Sequence, residues 1–264
     1  MSETTQNKVA VITGGATGIG KQVALKLASH GVNIVLAGRN KETGDKAAAE
    51  IAATGANVLF VQADVSSEKA VADLLRTAAN KFGRIDYLFN NAGIEGAMGP
   101  LELNTEEIVD DVLAINVKGA FLCMRHAIPY MAENGGGVIV NTGSFVGTVA
   151  PHGTGVMYGA SKAAVLSMTQ SVAAAVAEQH IGVFAVCPWV TDTPMIDRLT
   201  GFQPEAKAGF GAAMNPSGKI ALPEDIADAV VDIFTGKNTS INSGDAILAD
   251  SGGRLNKVVP MSFV

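Results

Sequence analysis

Residues 11–24 read VITGGATGIGKQVA. The stretch begins as a β-branched apolar run, passes through a cluster of glycines and continues with helical spacing. Gly14, Gly18 and Gly20 fall between the two elements. Glycine permits positive φ and lets another backbone or a ligand approach without a Cβ in the way. A helix that begins just after such a turn presents unpaired N–H groups and the positive end of its dipole, which suits a pyrophosphate. A tight turn with no ligand would use the same glycines. Its place after a first strand favours dinucleotide binding, although the spacing is GxxxGxG rather than GxGxxG.

Outward from this turn the same alternation repeats. KVAVIT (8–13) reads as a buried strand, and the helix over 21–30 can end at Gly31. VNIVLAG (32–38) and NVLFVQAD (57–64) read as strands flanking a helix over 41–54. Ser66 or Ser67 can cap a helix running to about Lys81, with Glu68 in its first turn. IDYLFNNAG (85–93), GGGVIVNTGS (135–144), IGVFAVCPWV (181–190) and SGDAILADSGG (243–253) supply four more strands. Between them the spacing predicts one long helix over about 105–133 and another over 156–179. Pro223, Glu224 and Asp225 read as a helix start. Regular β–α alternation implies an α/β, doubly wound, mostly parallel sheet covered on both faces, in a single domain over 1–264. The least regular region, about 192–220, reads either as a flap over a site or as an ordinary surface excursion.

The chain has 264 residues, 48% hydrophobic and 17% charged, enough for a substantial core. A net charge of -6 argues against a nucleic-acid partner. Cys123 and Cys187 are too few and too distant for a disulfide framework or a metal site, and the four histidines show no ligand spacing, so no metal is expected. The opening MSETTQNK is polar and no apolar run is long enough to span a bilayer. The expectation is a soluble cytoplasmic protein with no membrane partner.

The end of the second strand reads Ala37, Gly38, Arg39, Asn40. No carboxylate is present there to repel a ribose 2′-phosphate, and the Arg39 guanidinium can pair with one. This favours NADP(H), with NAD(H) possible because Thr17 adds no second positive charge in the glycine turn. Arg39 could equally be a solvated strand-end residue. Asp64, at the end of the third strand, can accept from an adenine amino group or cap the next helix.

VMYGASKAAV (156–165) places Tyr158 and Lys162 one helical turn apart. An ammonium there would favour the phenolate form of a group whose reference pKa is about 10. The pair alone could also decorate a solvated face.

Taken together, Thr13-Gly14-x-x-x-Gly18-Ile19-Gly20, Asn90-Asn91-Ala92-Gly93, Asn116, Ser144 and Tyr158-x-x-x-Lys162 resemble the short-chain dehydrogenase/reductase family over nearly the whole chain. The resemblance implies a Rossmann-type fold, a nicotinamide cofactor, a small-molecule carbonyl or alcohol substrate, and a homotetramer or homodimer. It implies Tyr158 as the proton-transfer group and Ser144 as hydrogen-bond donor to the substrate oxygen. Lys162 would tune Tyr158 and contact the nicotinamide ribose, and Asn116 would steady a water beside Lys162. The implied cofactor contacts are Gly14, Thr17, Gly18, Ile19, Gly20, Arg39, Asp64, Val65, Asn91, Ala92, Gly93, Pro188, Thr191 and Thr193, with Tyr158 and Lys162.

Two departures stand out. Pro188 is followed by Trp189 where the family commonly has glycine, which adds bulk beside the nicotinamide. Ser144 and Tyr158 are 14 positions apart, one more than is common. Phe145, Val156, Met157, Trp189, Met195, Leu199 and Phe202 are candidates for an apolar pocket, and several can be core. His152 reads as a solvated loop residue. The leading function is reduction of a mainly apolar ketone, or oxidation of the corresponding alcohol. A 3-oxoacyl carrier-protein reductase, a sugar or polyol dehydrogenase and a non-catalytic cofactor-binding regulator are the alternatives.

Overall fold

Every apolar run identified above becomes a strand. The structure is a computed structural model and describes residues 5–148, 155–251 and 255–257. The strands are β1 (Val9–Thr13), β2 (Asn33–Gly38), β3 (Val58–Gln62), β4 (Tyr87–Asn90), β5 (Gly137–Thr142), β6 (Ile181–Pro188) and β7 (Ala246–Ala249). They lie in the order β3-β2-β1-β4-β5-β6-β7, all parallel. An eighth strand, β8 (Leu255–Lys257), pairs antiparallel with β7. Three residues give too short a pattern for sequence reading to find it.

The helices are α1 (Gly18–Ser29), α2 (Lys41–Ala52), α3 (Glu68–Phe82), α4 (Glu106–Val112), α5 (Gly119–Glu133), α6 (Val156–Ala175), α7 (Pro194–Leu199), α8 (Pro204–Met214) and α9 (Pro223–Phe234). One face of the sheet packs on α1, α2 and α9 through residues such as Leu27, Ile51 and Val230. The other packs on α3, α5 and α6 through Leu74, Ala127 and Ala173. With both faces covered, β1 is buried at all five positions, which is why it reads as a continuous apolar run rather than an alternating one.

The predicted helix ends are in place. Ser67 caps α3 by accepting from the Ala70 N–H, and Gly83 ends it at φ 80°. Three departures are informative. The helix expected over 105–133 carries a π-helical turn at Leu113–Lys118 between α4 and α5, and Asn116 sits within it. The helix expected to reach 179 ends at Ala175, with a 3₁₀ turn at Ala177–Gln179. The least regular region holds two short helices, α7 and α8, each opened by a proline in its first turn. His152, and the tail outside β8, lie outside the described residues.

The chain runs outward from β1 to β3, then crosses back to β4 on the other side of β1. At that switch point the loops leaving β1 and β4 diverge, and a crevice opens at the carboxyl ends of the strands. Among the described residues no helix is long and apolar enough to cross a membrane, and no group of three His, Cys, Asp or Glu side chains could hold a metal.

Candidate active site

The glycine turn is held from below by the end of β4. Thr13 Oγ1 accepts from the N–H groups of Asn91 and Ala92, at 3.0 and 3.1 Å. Asn91 Nδ2 donates back to the carbonyls of Thr13 and Gly14. Gly14 and Gly18 adopt φ of 61° and 50°, the region that favours glycine. Gly20 is required for a different reason: a Cβ there would sit 2.4 Å from the Gly14 carbonyl oxygen. Thr17 is the N-cap of α1 but its side chain makes no cap bond, and the first turn holds no acid. The start of α1 therefore offers unsatisfied N–H groups and positive potential to the crevice.

The second cluster lies beyond β4 and β5. The Asn116 side chain is buried, accepting from the Ile94 N–H and donating to the Ile94 carbonyl and to Ser161 Oγ. Ser161 in turn donates to the Tyr158 carbonyl at 2.7 Å. Next to Ser161, Lys162 is 3% exposed and its Nζ donates to the Thr142 carbonyl at 2.8 Å. Burial lowers the Lys162 pKa to about 8.

Ser144 Oγ accepts from the Val146 N–H and hydrogen-bonds with the Tyr158 hydroxyl in a way that favours its phenolate. Burial pushes the Tyr158 hydroxyl up to about 12; the Ser144 hydrogen bond pulls it down and the charge of Glu95 pushes it further up. The sequence suggested that the Lys162 charge favours the phenolate form of this group. The geometry is less direct. Nζ lies 5.5 Å from the ring centroid, over its face, and is spent on Thr142 rather than on the phenol oxygen.

Both clusters open into one cavity of about 1100 Å³. It is lined by Gly14, Thr17, Gly18, Ile19, Arg39, Asn91, Ala92, Gly93, Ser144, Tyr158, Lys162, Pro188, Thr191 and Thr193 of the expected set. Gly20, Asp64, Val65 and Asn116 are not on its wall. Asp64 Oδ1 accepts from the N–H and hydroxyl of Ser66 and so braces the turn before α3, whose cap is Ser67 and not Asp64. Burial raises the Asp64 pKa, but Ser66 with the Arg39 and Lys118 charges holds the carboxyl below its usual value. Val65 is buried against the position where a Gly119 Cβ would stand.

Of the apolar candidates, Phe145, Trp189, Met195 and Leu199 reach the cavity, whereas Val156, Met157 and Phe202 do not line it. Phe145 and Trp189 stack with centroids 4.4 Å apart at 18°. The bulk that replaces the usual glycine is thus fixed flat against its neighbour.

Sequence reading missed the parts that hold α7 and α8 in place. Arg198 on α7 makes a bidentate pair with Glu95, at 2.8 and 2.9 Å. Lys207 on α8 donates to Asp192 and Asp197 at 2.7 and 2.8 Å. Asn215 accepts from the Val190 N–H and donates to its carbonyl and to buried Asp250. Partners separated by up to 103 positions leave no local signal. The charge pattern of 192–207 was the one available hint.

A family model described as short chain dehydrogenase matches residues 8–203. The chain is 36% identical over 253 residues to the cis-4-hydroxycyclohexanecarboxylate dehydrogenase of Sinomonas cyclohexanicum, covering 96% of this chain and 98% of that protein. A 3-ketoacyl-(acyl-carrier-protein) reductase from Brucella melitensis, solved with NADH, superposes with a TM-score of 0.83 at 32% identity, over 94% of this chain and 98% of the other. A variant of actinorhodin polyketide ketoreductase, solved with NADPH, gives a TM-score of 0.87 at 26% identity, over 96% and 99%.

Proposed function

Since this chain belongs to the short-chain dehydrogenase family, and is thereby an oxidoreductase, we propose that it moves a hydride between NADP(H) and a small, mainly apolar ketone or secondary alcohol. One observation carries the reading: Ser144, Tyr158 and Lys162 share a cavity wall with the glycine turn, and Trp189 and Phe145 form the apolar wall beside them.

The residues present fit a nicotinamide dinucleotide. Gly14 and Gly18 leave a cradle that side chains would fill, and α1 starts there without a side-chain cap. The pyrophosphate belongs at that helix start. Arg39 lines the same cavity, and among the described residues no carboxylate forms a salt bridge with it. Its guanidinium is the partner we assign to a 2′-phosphate. Lys162, Thr191 and Thr193 belong to the nicotinamide end. The bound cofactor supplies or accepts the hydride.

Tyr158 then gives its proton to the carbonyl oxygen in reduction, and takes the hydroxyl proton in oxidation. A phenol held near 12 stays protonated at neutral pH, which suits the reductive direction. Oxidation needs the phenolate, which the Ser144 hydroxyl and the Lys162 charge both favour. Ser144 also orients the substrate oxygen. Lys162 stays in place through Thr142, and Asn116 holds the Ile94 turn that closes this side of the cavity. Movement of α7 and α8 as a flap is part of the same proposal, as is assembly into a dimer or tetramer.

The curated relative named for a hydroxycyclohexane acid supports a ring-bearing alcohol, since a flat Trp189 face suits a ring. The reductase solved with NADH keeps carrier-protein substrates as a second reading. Against it, Arg125, one of the scattered cations a carrier would use, pairs with Glu68. The deciding test is a panel of cyclic and linear ketones and alcohols with each cofactor, followed at the nicotinamide absorbance. Tyr158→Phe must abolish turnover while the chain still folds and binds cofactor. A fully active Tyr158→Phe rejects the proposal.

A further inference from the structure

We propose that Glu95 is a positioning residue for the proton chemistry of Tyr158, and that Arg198, carried on α7, controls how much of its charge the phenol experiences. This rests on the assignment of Tyr158 as the proton-transfer group.

Glu95 is fixed from both sides. On one side Asn116 clamps the backbone of Ile94 at 2.9 Å through both its N–H and its carbonyl. On the other, Gly96 turns at φ 66°, where a Cβ would stand 2.6 Å from Val112 Cγ2. The Glu95 side chain is only 14% exposed and lines the same cavity as Tyr158. Its sole bidentate partner among the described residues is Arg198, which is 49% exposed and belongs to another part of the chain.

The other groups facing the phenol are constant. Lys162 on the same helix is anchored to Thr142, and Ser144 at the end of β5 hydrogen-bonds with the phenol. Cys187 on β6 is kept neutral by burial, its thiol pushed up to about 12. Asp197, the acid beside Arg198, is paired with Lys207. The variable element is therefore the guanidinium. With α7 seated, the Glu95 charge is offset. With the guanidinium removed and α7 still in place, a poorly solvated carboxylate faces the phenol alone and disfavours phenolate.

Arg198 thus keeps Tyr158 a better base than an unpaired Glu95 would allow, without any contact between Glu95 and the substrate. The direction of the effect is specific: the two members of one ion pair should move the phenol oppositely.

The chain has three tyrosines, so biosynthetic 2,3-difluorotyrosine gives a countable ¹⁹F spectrum and brings the phenol titration into an accessible pH range. The Tyr158 signal is the one lost in Tyr158→Phe. Relative to the unsubstituted protein, Glu95→Gln should lower its midpoint and Arg198→Met should raise it, each by on the order of half a pH unit or more. The double variant should follow Glu95→Gln, and Arg198→Lys should lie between. The basic limb of kcat/KM for alcohol oxidation should shift in the same directions. If Glu95→Gln, which is nearly isosteric, and Arg198→Lys both leave the midpoint unmoved, the pair is only a structural clasp and the proposal is overturned. Full activity in Tyr158→Phe would instead reject the assignment of Tyr158, while the ¹⁹F midpoints would still report on Glu95.

Discussion

Asn116 holds Ile94 by both backbone groups, and Asn215 does the same to Val190. In each case a carboxamide accepts from the N–H at 2.9 Å and donates to the carbonyl, at 2.9 Å for Ile94 and 2.8 Å for Val190. The clamped residues follow β4 and β6, the strands that leave the sheet on the two sides of β5. Beyond the strand ends the ladder is incomplete, with Ala221 donating one backbone bond to the Val190 carbonyl, and the side-chain amides supply the remaining partners.

Truncating a clamp therefore orphans buried backbone groups as well as removing a side chain. Asn116→Ala should destabilise the chain by about 2–4 kcal/mol, because Ile94 and Ser161 both lose partners. Asn116→Asp keeps the acceptor for the Ile94 N–H but loses both donors, and should be no better. Urea unfolding measures both. A change below about 0.5 kcal/mol for Asn116→Ala would show that the turn finds other partners.

The glycine turn makes a prediction that separates folding from binding. A methyl at Gly20 would collide with the Gly14 carbonyl, which forms part of the cradle. Gly20→Ala should fold, since alanine favours the helix interior, but displace the turn and weaken cofactor binding about tenfold or more. Trp189 is the single tryptophan and lines the cavity, so its quenching by reduced cofactor reports binding directly. An unchanged binding curve would show that the turn has room to shift.

Much of this was legible in the sequence, for identifiable physical reasons. The inner parallel strands are largely buried on both faces and the edge strand β3 is still half-buried over Val58–Val61, so each reads as an apolar run that no polar alternation confuses. Gly14, Gly18 and the Tyr158–Lys162 pair lie within single elements, where spacing fixes geometry. The rest depends on contacts between distant segments. The π turn at Asn116 exists because its side chain reaches across to Ile94, and no periodicity encodes that. Glu95 with Arg198, and Asn215 with Asp250, are likewise long-range pairs. Asp64 and Ser66 form a local pair, but the helix cap that the sequence allowed for Asp64 is made by Ser67 instead.

The proposed preference for NADP(H) rests on one side chain. Arg39 is exposed at the end of β2, and Asp64 acts on it only at longer range. Arg39→Ala should lower kcat/KM with NADPH about tenfold or more while leaving NADH nearly unchanged, because only the former has a 2′-phosphate to lose. An equal loss with both cofactors would mean that Arg39 supports the turn and does not read the phosphate. An unaltered ratio would remove it from the site.

Lys162 should cost stability in return for its position. Its pKa falls from 10.5 to about 8 because burial disfavours the ammonium. A base whose folded pKa is depressed destabilises the native state fully below that value, and the cost fades as pH rises from about 8 towards 10.5, where the unfolded chain holds the proton and the native one does not. Lys162→Met, of similar shape, removes this penalty. At pH 7 the variant should be more stable by up to about 3 kcal/mol, less what the lost bond to Thr142 contributes. The advantage should shrink steadily between pH 8 and 9.5. Tyr158, raised from 10.0 to about 12, stays protonated in the folded state over that window, and its onset of ionisation in the unfolded chain is common to both proteins and cancels in the comparison. Urea midpoints for both proteins across this range test the point. A gap that does not narrow with pH would mean that Lys162 does not titrate there, and a variant less stable at pH 7 would mean that the Thr142 bond outweighs the burial of charge.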